Sequence, residues 1–392
     1  MTKESNYLTV ENTSVHTKYK LAIIVDTCLA GGVSKALVDF IKCIDRPDFD
    51  ITLFVRDFDS TKCFPVSEDV LTKCWPNKQA TSNKDRLNKL HILINKRDFA
   101  RRTVYEARLY KDIDEEFDCV IGYQMISNDV SVMSLEKINA KRRILWLHGK
   151  KKFAKKNLSF FDKLYSKSDA IVAVSKETEE RFKKLMPRCA GITKTIHNFY
   201  DFELIKKKAN EHIAEIKKSE NEIVIVSTGR LSKEKGFDRV PDVTKKLINH
   251  GYNIQWYVAG DGEMMETIRK KISELDLDDN VHMIGFIKNP YPYVKRCDIY
   301  VQPSYTEGFC TSTMEAKILR KPVVTTNVPG MKEQFSNEYD GLIVESSIEG
   351  IYRGIKRLIE DKTLLTKIKD NLNSETFSNK EEVQKAIRVI KG

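Results

Sequence analysis

An α/β chain built from two successive doubly wound parallel sheets, facing each other across a deep cleft, is the fold the sequence predicts. Three observations carry it. The run Leu21-Ala22-Ile23-Ile24-Val25 is continuously aliphatic, which suits a strand covered by helices on both faces. It is followed by a glycine pair, Gly31-Gly32, an amphipathic stretch through Ile44 and a second apolar run at 51–55, the strand, turn, helix, strand order that opens a doubly wound sheet. The same rhythm starts again at Ile223-Val224-Ile225-Val226, after a charged helical stretch between Phe202 and Glu220. A chain of 392 residues has room for two such units, each with its own core.

In chain order, residues 1–18 are polar and aperiodic and read as a disordered leader. Strands follow at 20–26 and 51–55, and then at 118–122, 143–149 and 169–175. Between them, 57–115 shows no parallel-strand rhythm. Leu87, Leu90, Leu93 or Ile94, and later Val104 and Leu109, keep helical spacing with Lys and Arg between them. That pattern fits either a solvated basic helix or an interfacial membrane-binding one. In the second half, 223–226, 255–259, 281–284, 299–302, 323–325 and 342–344 read as strands. The expected domains are 19–203 and 204–374, with 375–392 a helix returning to the first domain.

Composition narrows the class. With 41% apolar and 31% charged residues, no bilayer-length apolar run and no signal-peptide core at the start, a cytoplasmic protein is expected. The eight cysteines include no close Cys-x-x-Cys pair, so neither a zinc site nor a thiol redox motif is indicated. The formal charge of +11 is concentrated in the first half, at 84–111 and 141–167. A basic surface there suits nucleic acid, anionic lipid or a phosphorylated acceptor.

The chemistry converges on residues 304–322. A strand ends at Pro303, a short loop carries Glu307-Gly308-Phe309, and a helix reads from Thr313 to Leu319 with Glu315 on it. Unpaired N–H groups at such a helix start favour phosphate. Eight positions span about 12 Å even if all are helical, too far for two carboxylates flanking one bond, so Glu307 and Glu315 serve different parts of a long ligand. The plainer alternative makes Ser312 and Glu315 a capping box and Glu307 a surface acid. Ser227-Thr228-Gly229-Arg230 and Lys235-Gly236 place two cations beyond a strand end, where they suit a diphosphate. His148 ends another strand at the rim where such sheets hold ligands, though a lone histidine is as readily structural.

Taken in order, Gly229-Arg230…Lys235-Gly236, Gly260-Asp261-Gly262, Gly285-Phe286, Glu307-Gly308-Phe309…Glu315-Ala316 and Pro322-Val323-Val324 resemble the nucleotide-sugar half of retaining GT-B glycosyltransferases of family 4. Gly31-Gly32, Trp146-x-His148, Val174-Ser175-Lys176 and Ile196-His197-Asn198 are similar to the acceptor half of the enzymes that build capsule, exopolysaccharide, lipopolysaccharide or teichoic acid. The resemblance covers roughly 20–385 and is weakest at 57–115.

It implies a retaining transfer from a nucleotide-diphosphate sugar, most readily a UDP-sugar, to a lipid-linked or polymeric bacterial surface glycan at the inner face of the plasma membrane. Arg230 and Lys235 would hold the diphosphate, Gly31 and Gly32 would approach it from the other domain, and the Thr311 and Ser312 amides would meet phosphate. Glu315 would bind the ribose, and Ile287 would lie beside the base. Glu307, with the Gly308 and Phe309 amides, would orient the sugar, and His148 would lie near the reacting centre. No metal and no cofactor are expected, because paired cations take the metal's part and no Asp-x-Asp ligand pair stands at a strand end. Two residues depart from the pattern: Cys310 and Arg320 stand where glycine is common. The competing reading is a basic protein for nucleic acid or anionic membrane on an inactive GT-B fold. The interleaved aromatics that nucleic acid requires are few, so no nucleic-acid partner is expected, whereas contact with anionic membrane is.

Overall fold

The structure, a computed structural model, describes residues 18–27, 31–44, 46–56, 70–75, 99–125, 128–149, 153–213, 216, 219 and 221–392. Its first sheet has seven strands: β1 (Tyr19–Val25), β2 (Phe49–Val55), β3 (Leu71–Cys74), β4 (Ile113–Gly122), β5 (Ile138–Leu147), β6 (Ala170–Ala173) and β7 (Thr193–Thr195). They lie in the order β3-β2-β1-β4-β5-β6-β7. The second has six, β8 (Ile223–Thr228), β9 (Ile254–Ala259), β10 (Val281–Gly285), β11 (Ile299–Gln302), β12 (Val323–Thr326) and β13 (Leu342–Val344), in the order β10-β9-β8-β11-β12-β13. Every strand pairing within the two sheets is parallel.

The aliphatic runs behave as expected of doubly covered strands. Leu21, Ala22, Ile23 and Ile24 of β1 and Val224, Ile225 and Val226 of β8 are buried, and each sheet carries its own core of helix and strand side chains. Two strands escaped the sequence reading. β3, within the stretch that showed no strand rhythm, and β7 are short outer strands of polar sequence, Leu-Thr-Lys-Cys and Thr-Lys-Thr. An edge strand buries little, so its sequence carries no apolar signal. β4 and β5 begin five residues earlier than the apolar runs suggest, because the first four residues of β4 are exposed or half-buried and the first half of β5 alternates buried with exposed.

Of the basic helical pattern, Leu87 to Ile94 lie outside the described residues. The later part forms the helix Phe99–Ala107, which stops two residues short of Leu109. Val104 and Ala107 are buried in a cluster with Val132 and Leu135. Val104 and Ala107 are therefore covered by the protein rather than presented to lipid.

The C-terminal segment crosses between the cores. The helix Lys362–Ser374 packs Leu364, Ile368 and Leu372 into the second core. The next one, Lys380–Lys391, sets Ala386, Val389 and Ile390 into the first. Tyr19 OH donates to the Ile390 carbonyl at 2.9 Å and Arg142 Nε to that of Val389 at 2.8 Å.

Candidate functional site

In the second sheet the strand order reverses between β8 and β11, and in the first between β1 and β4. Chains leaving such neighbours diverge to opposite faces and open a crevice at the carboxyl ends. Arg230 and Lys235 follow β8, Glu307 follows β11, and the glycine pair follows β1.

Lys235 ends a 3-10 turn, Lys233–Lys235, closed by Gly236 at φ +69°. A Cβ on Gly236 would lie 2.1 Å from the Pro303 carbonyl oxygen, so only glycine lets this loop rest on the one after β11. That approach sets the Lys235 ammonium 2.8 Å from Glu307 Oε1 and 2.9 Å from Oε2. Burial opposes the charge on Lys235, but the Cys310 sulfur and the Glu307 carboxylate outweigh it and its pKa is raised. Glu307 is also fixed from below. Ser304 Oγ donates to its Oε1 at 2.7 Å, Gln302 Nε2 donates to Ser304 Oγ at 2.9 Å, and the Ser312 and Tyr300 hydroxyls both donate to Gln302 Oε1 at 3.2 Å. A chain of this kind holds one carboxylate orientation. Arg230 is exposed at the same rim, and among the described residues it has no ion-pair partner.

The helix after the loop is Thr311–Ile318, starting two residues before the expected Thr313. Its N-cap is Cys310, with no side-chain capping bond. Ser312 thus lies inside the first turn with its hydroxyl turned to Gln302, and Glu315 faces the first lobe, so the capping-box reading does not hold. Burial raises the Cys310 thiol pKa, and its Sγ lies 3.2 Å from Ser312 Oγ.

The two lobes touch through small residues. A Cβ on Gly31 would lie 3.7 Å from Arg230 Nη2, and one on Gly32 would lie 3.3 Å from Thr311 Oγ1. One on Gly308 would lie 2.9 Å from Gly149 Cα and 3.2 Å from the His148 carbonyl oxygen. His148 is thus at the contact through its backbone. Its half-buried imidazole lies 4.4 Å from the Tyr123 ring, and burial pushes its pKa down to about 3, so the ring stays neutral. Its Nε2 has no partner among the described residues. Phe309 crosses between the lobes, its ring stacked on His197 at 5.2 Å. Ile287, just past β10, packs its half-buried side chain against the core cluster that includes Tyr257, Tyr293 and Tyr300, while Phe286 is exposed beside it.

The structure therefore gathers Gly31, Gly32, His148, Arg230, Lys235, Glu307, Gly308, Phe309, Thr311, Ser312 and Glu315 at one interlobe rim, and leaves Ile287 packed against the second lobe's own core. Three residues of this rim were absent from the sequence reading. Lys35 Nζ, from the helix Gly32–Cys43, lies 2.8 Å from Glu315 Oε1, and Tyr291 OH donates to the same oxygen at 3.2 Å. Glu333 of the second lobe accepts from the N–H groups of Lys176 and Glu177 at 2.8 and 3.1 Å and meets His197 Nε2 at 3.1 Å. Lys35 and Glu333 meet partners more than a hundred residues away, and Tyr291 meets one 24 residues on, so no local spacing marks them.

Residues 208–374 match the family model described as glycosyl transferases group 1. The chain is 30% identical over 203 residues to an N-acetylgalactosaminyltransferase of Campylobacter jejuni that acts on a diphospho-undecaprenol-linked sugar, covering 51% of this chain and 53% of that protein. It is 30% identical over 175 residues to the capsular polysaccharide biosynthesis glycosyltransferase CapM of Staphylococcus aureus, covering 44% and 46%. The alignments thus span about half the length of these relatives. Among solved structures, HepE of Anabaena, in complex with UDP and glucose, superposes with a TM-score of 0.73 at 19% identity over 95% of this chain and 100% of that one. WaaG, a glycosyltransferase of lipopolysaccharide biosynthesis, does so with a TM-score of 0.60 at 12% identity, over 95% and 100%. Residues 208–374 are thus similar to glycosyl transferases group 1, and the chain has the GT-B fold.

Proposed function

We propose that this protein transfers a sugar from a nucleotide-diphosphate sugar, a UDP-sugar, to a hydroxyl of a lipid-linked bacterial surface glycan, with retention of configuration. The observation that carries the reading is the Lys235 to Glu307 pair at the switch point of the second sheet, with Arg230 exposed beside it and Gly31 facing it from the other lobe. Two cations at a strand-end crevice neutralise a diphosphate as the bond to sugar C1 breaks, the electrostatic part that a divalent ion plays elsewhere. The acceptor hydroxyl attacks C1 from the face the diphosphate leaves, and its proton passes to the departing phosphate oxygen. The products are the glycosylated acceptor and the nucleoside diphosphate. Glu307, held by Lys235 and Ser304, is the acceptor for the sugar's hydroxyls, and the neutral His148 contributes its backbone carbonyl at the lobe contact.

The UDP and glucose bound by the HepE structure and the undecaprenyl-linked substrate named for the Campylobacter relative support this choice of donor and acceptor. Among the described residues, Lys155, Lys156, Lys163 and Lys167 are exposed on one basic segment, while Lys150 to Lys152 lie outside them. This segment is the proposed contact with the anionic inner face of the plasma membrane, where a lipid-linked acceptor resides.

Thermal shift with a panel of nucleotide sugars, followed by transfer assays with the best binder, tests the reading, because a true donor stabilises by mass action. Proton NMR of the product reports the anomeric configuration. A panel with no stabilising donor overturns the proposal; an inverted product overturns retention alone.

A further inference from the structure

Lys35 makes a second kind of contact across the lobes. Its Nζ lies 3.1 Å from Asp39 Oδ2, one turn along its own helix, and 2.8 Å from Glu315 Oε1 in the other lobe. The rings of Tyr200 and Tyr291 flank it, with centroids 5.8 and 5.7 Å away. Asp39, Glu315, Tyr200 and Tyr291 are all buried. A half-buried ammonium is stabilised by a partner, and Asp39 supplies one within the first lobe. The contact with Glu315 is additional and exists only when the lobes are together.

Two polar atoms of this cluster are left for a ligand. Lys35 and Tyr291 both use Glu315 Oε1, and among the described residues Oε2 accepts no hydrogen bond. Tyr200 OH, in a residue 4% exposed, has no partner among the described residues, and Lys35, Glu315, Cys310 and Asp39 are its electrostatic neighbours. Buried hydroxyls in native proteins are almost always hydrogen-bonded, so this one awaits a polar group.

We propose that Lys35 is a positioning residue for the nucleotide. Together with Tyr291 it grips Glu315 by one oxygen, so that the other is presented to a ribose hydroxyl and Tyr200 meets the second. Because Lys35 comes from the first lobe, ribose recognition is complete only when the lobes are closed. The inference rests on the nucleotide-sugar reading above and on Glu315 as the ribose acceptor.

Calorimetric titration of the full chain with UDP, 2′-deoxy-UDP and 3′-deoxy-UDP tests it, in the wild type, Lys35→Met, Lys35→Arg and Tyr200→Phe. In the wild type, loss of a hydroxyl bonded to the carboxylate weakens binding about tenfold or more. In Lys35→Met, UDP binds more weakly and the penalty for the missing hydroxyl falls below about threefold. Lys35→Arg restores part of that penalty, and Tyr200→Phe lowers the penalty for one hydroxyl only. Equal weakening of UDP and both deoxy forms in Lys35→Met means a purely structural role and overturns the inference. If Lys35→Met does not fold, Lys35→Gln carries the same comparison. GDP and ADP with their deoxy forms are run in parallel. A wild type that binds none of the three nucleotides removes the donor reading itself, which is distinct from a wild type that binds with an unchanged hydroxyl penalty in the variants.

Discussion

The ammonium of Lys235 stands almost equidistant from the two oxygens of Glu307, at 2.8 and 2.9 Å, so one ion pair pins the loop after β8 to the loop after β11. The pair joins the two strands at which the sheet order reverses. Neither residue is therefore free to change alone. Lys235→Ala leaves a buried carboxylate without its cation, and Glu307→Gln removes the anion and turns one acceptor oxygen into an NH2 donor facing the Lys235 ammonium. Both are expected to lower kcat about 10² to 10³-fold, with Lys235→Ala also losing stability. Steady-state kinetics with the identified donor and a thermal melt separate the two effects. Full turnover in both variants removes the site from these residues.

Gly308 meets Gly149 with room for hydrogen only. A methyl group in Gly308→Ala would press to 2.9 Å from a backbone carbon that has nowhere to move. The fold of each lobe should survive, because the clash lies between lobes. Closure should not, and kcat/KM should fall by about two orders of magnitude, the cost of a misplacement near 1 Å. Small-angle scattering in the presence of nucleotide is expected to show a larger radius of gyration than the wild type.

His197 is clasped between Glu333 and Glu382, with Nε2 at 3.1 Å from the first and Nδ1 at 3.5 Å from the second. Burial opposes its charge, but the two carboxylates outweigh it and push the imidazole pKa up to about 9. Burial likewise opposes the charge on Glu382, yet hydrogen bonds from His197 and Lys385 bring it down to about 2. A raised histidine contributes stability that is fully present below its unfolded pKa near 6.5 and is lost as pH rises through about 9. The depressed glutamate acts in the opposite sense, and its share is lost as pH falls toward about 2. Denaturant melts should show roughly 2 kcal/mol less stability at pH 9.5 than at pH 6, after allowance for partial exposure. His197→Gln should flatten that slope; an unchanged slope would show the clasp to be idle.

Arg320 has φ +60°, the left-handed conformation that glycine adopts without penalty. Its guanidinium donates to the Leu372 carbonyl and, at 2.7 Å, to that of Glu375, and it lies 4.6 Å from the centre of the Phe377 ring. These contacts tether the crossing between the two cores. Arg320→Gly would relieve about 1 kcal/mol of backbone strain. It would lose two charge-assisted hydrogen bonds worth about 1.5 kcal/mol each, for a net destabilisation of roughly 2 kcal/mol. A higher melting temperature in the variant would show that the tether contributes nothing.

The sequence alone determined the two sheets, because strands such as 21–25 and 223–226 are buried on both faces and must be aliphatic throughout. It determined the charged and glycine positions of the rim too, since the turns that carry them are contiguous in the chain. Only the tertiary structure decided which of them meet. The outer strands β3 and β7 bury too little to leave a pattern, and the true helix start at Thr311 follows from Ser312 finding Gln302 rather than from capping chemistry. Lys35 reaches Glu315, and Glu333 reaches the helix Lys176–Leu185, across separations in sequence over which spacing carries no information. A residue's type reports what it must be surrounded by; which distant element supplies that surrounding is settled only when the two lobes pack.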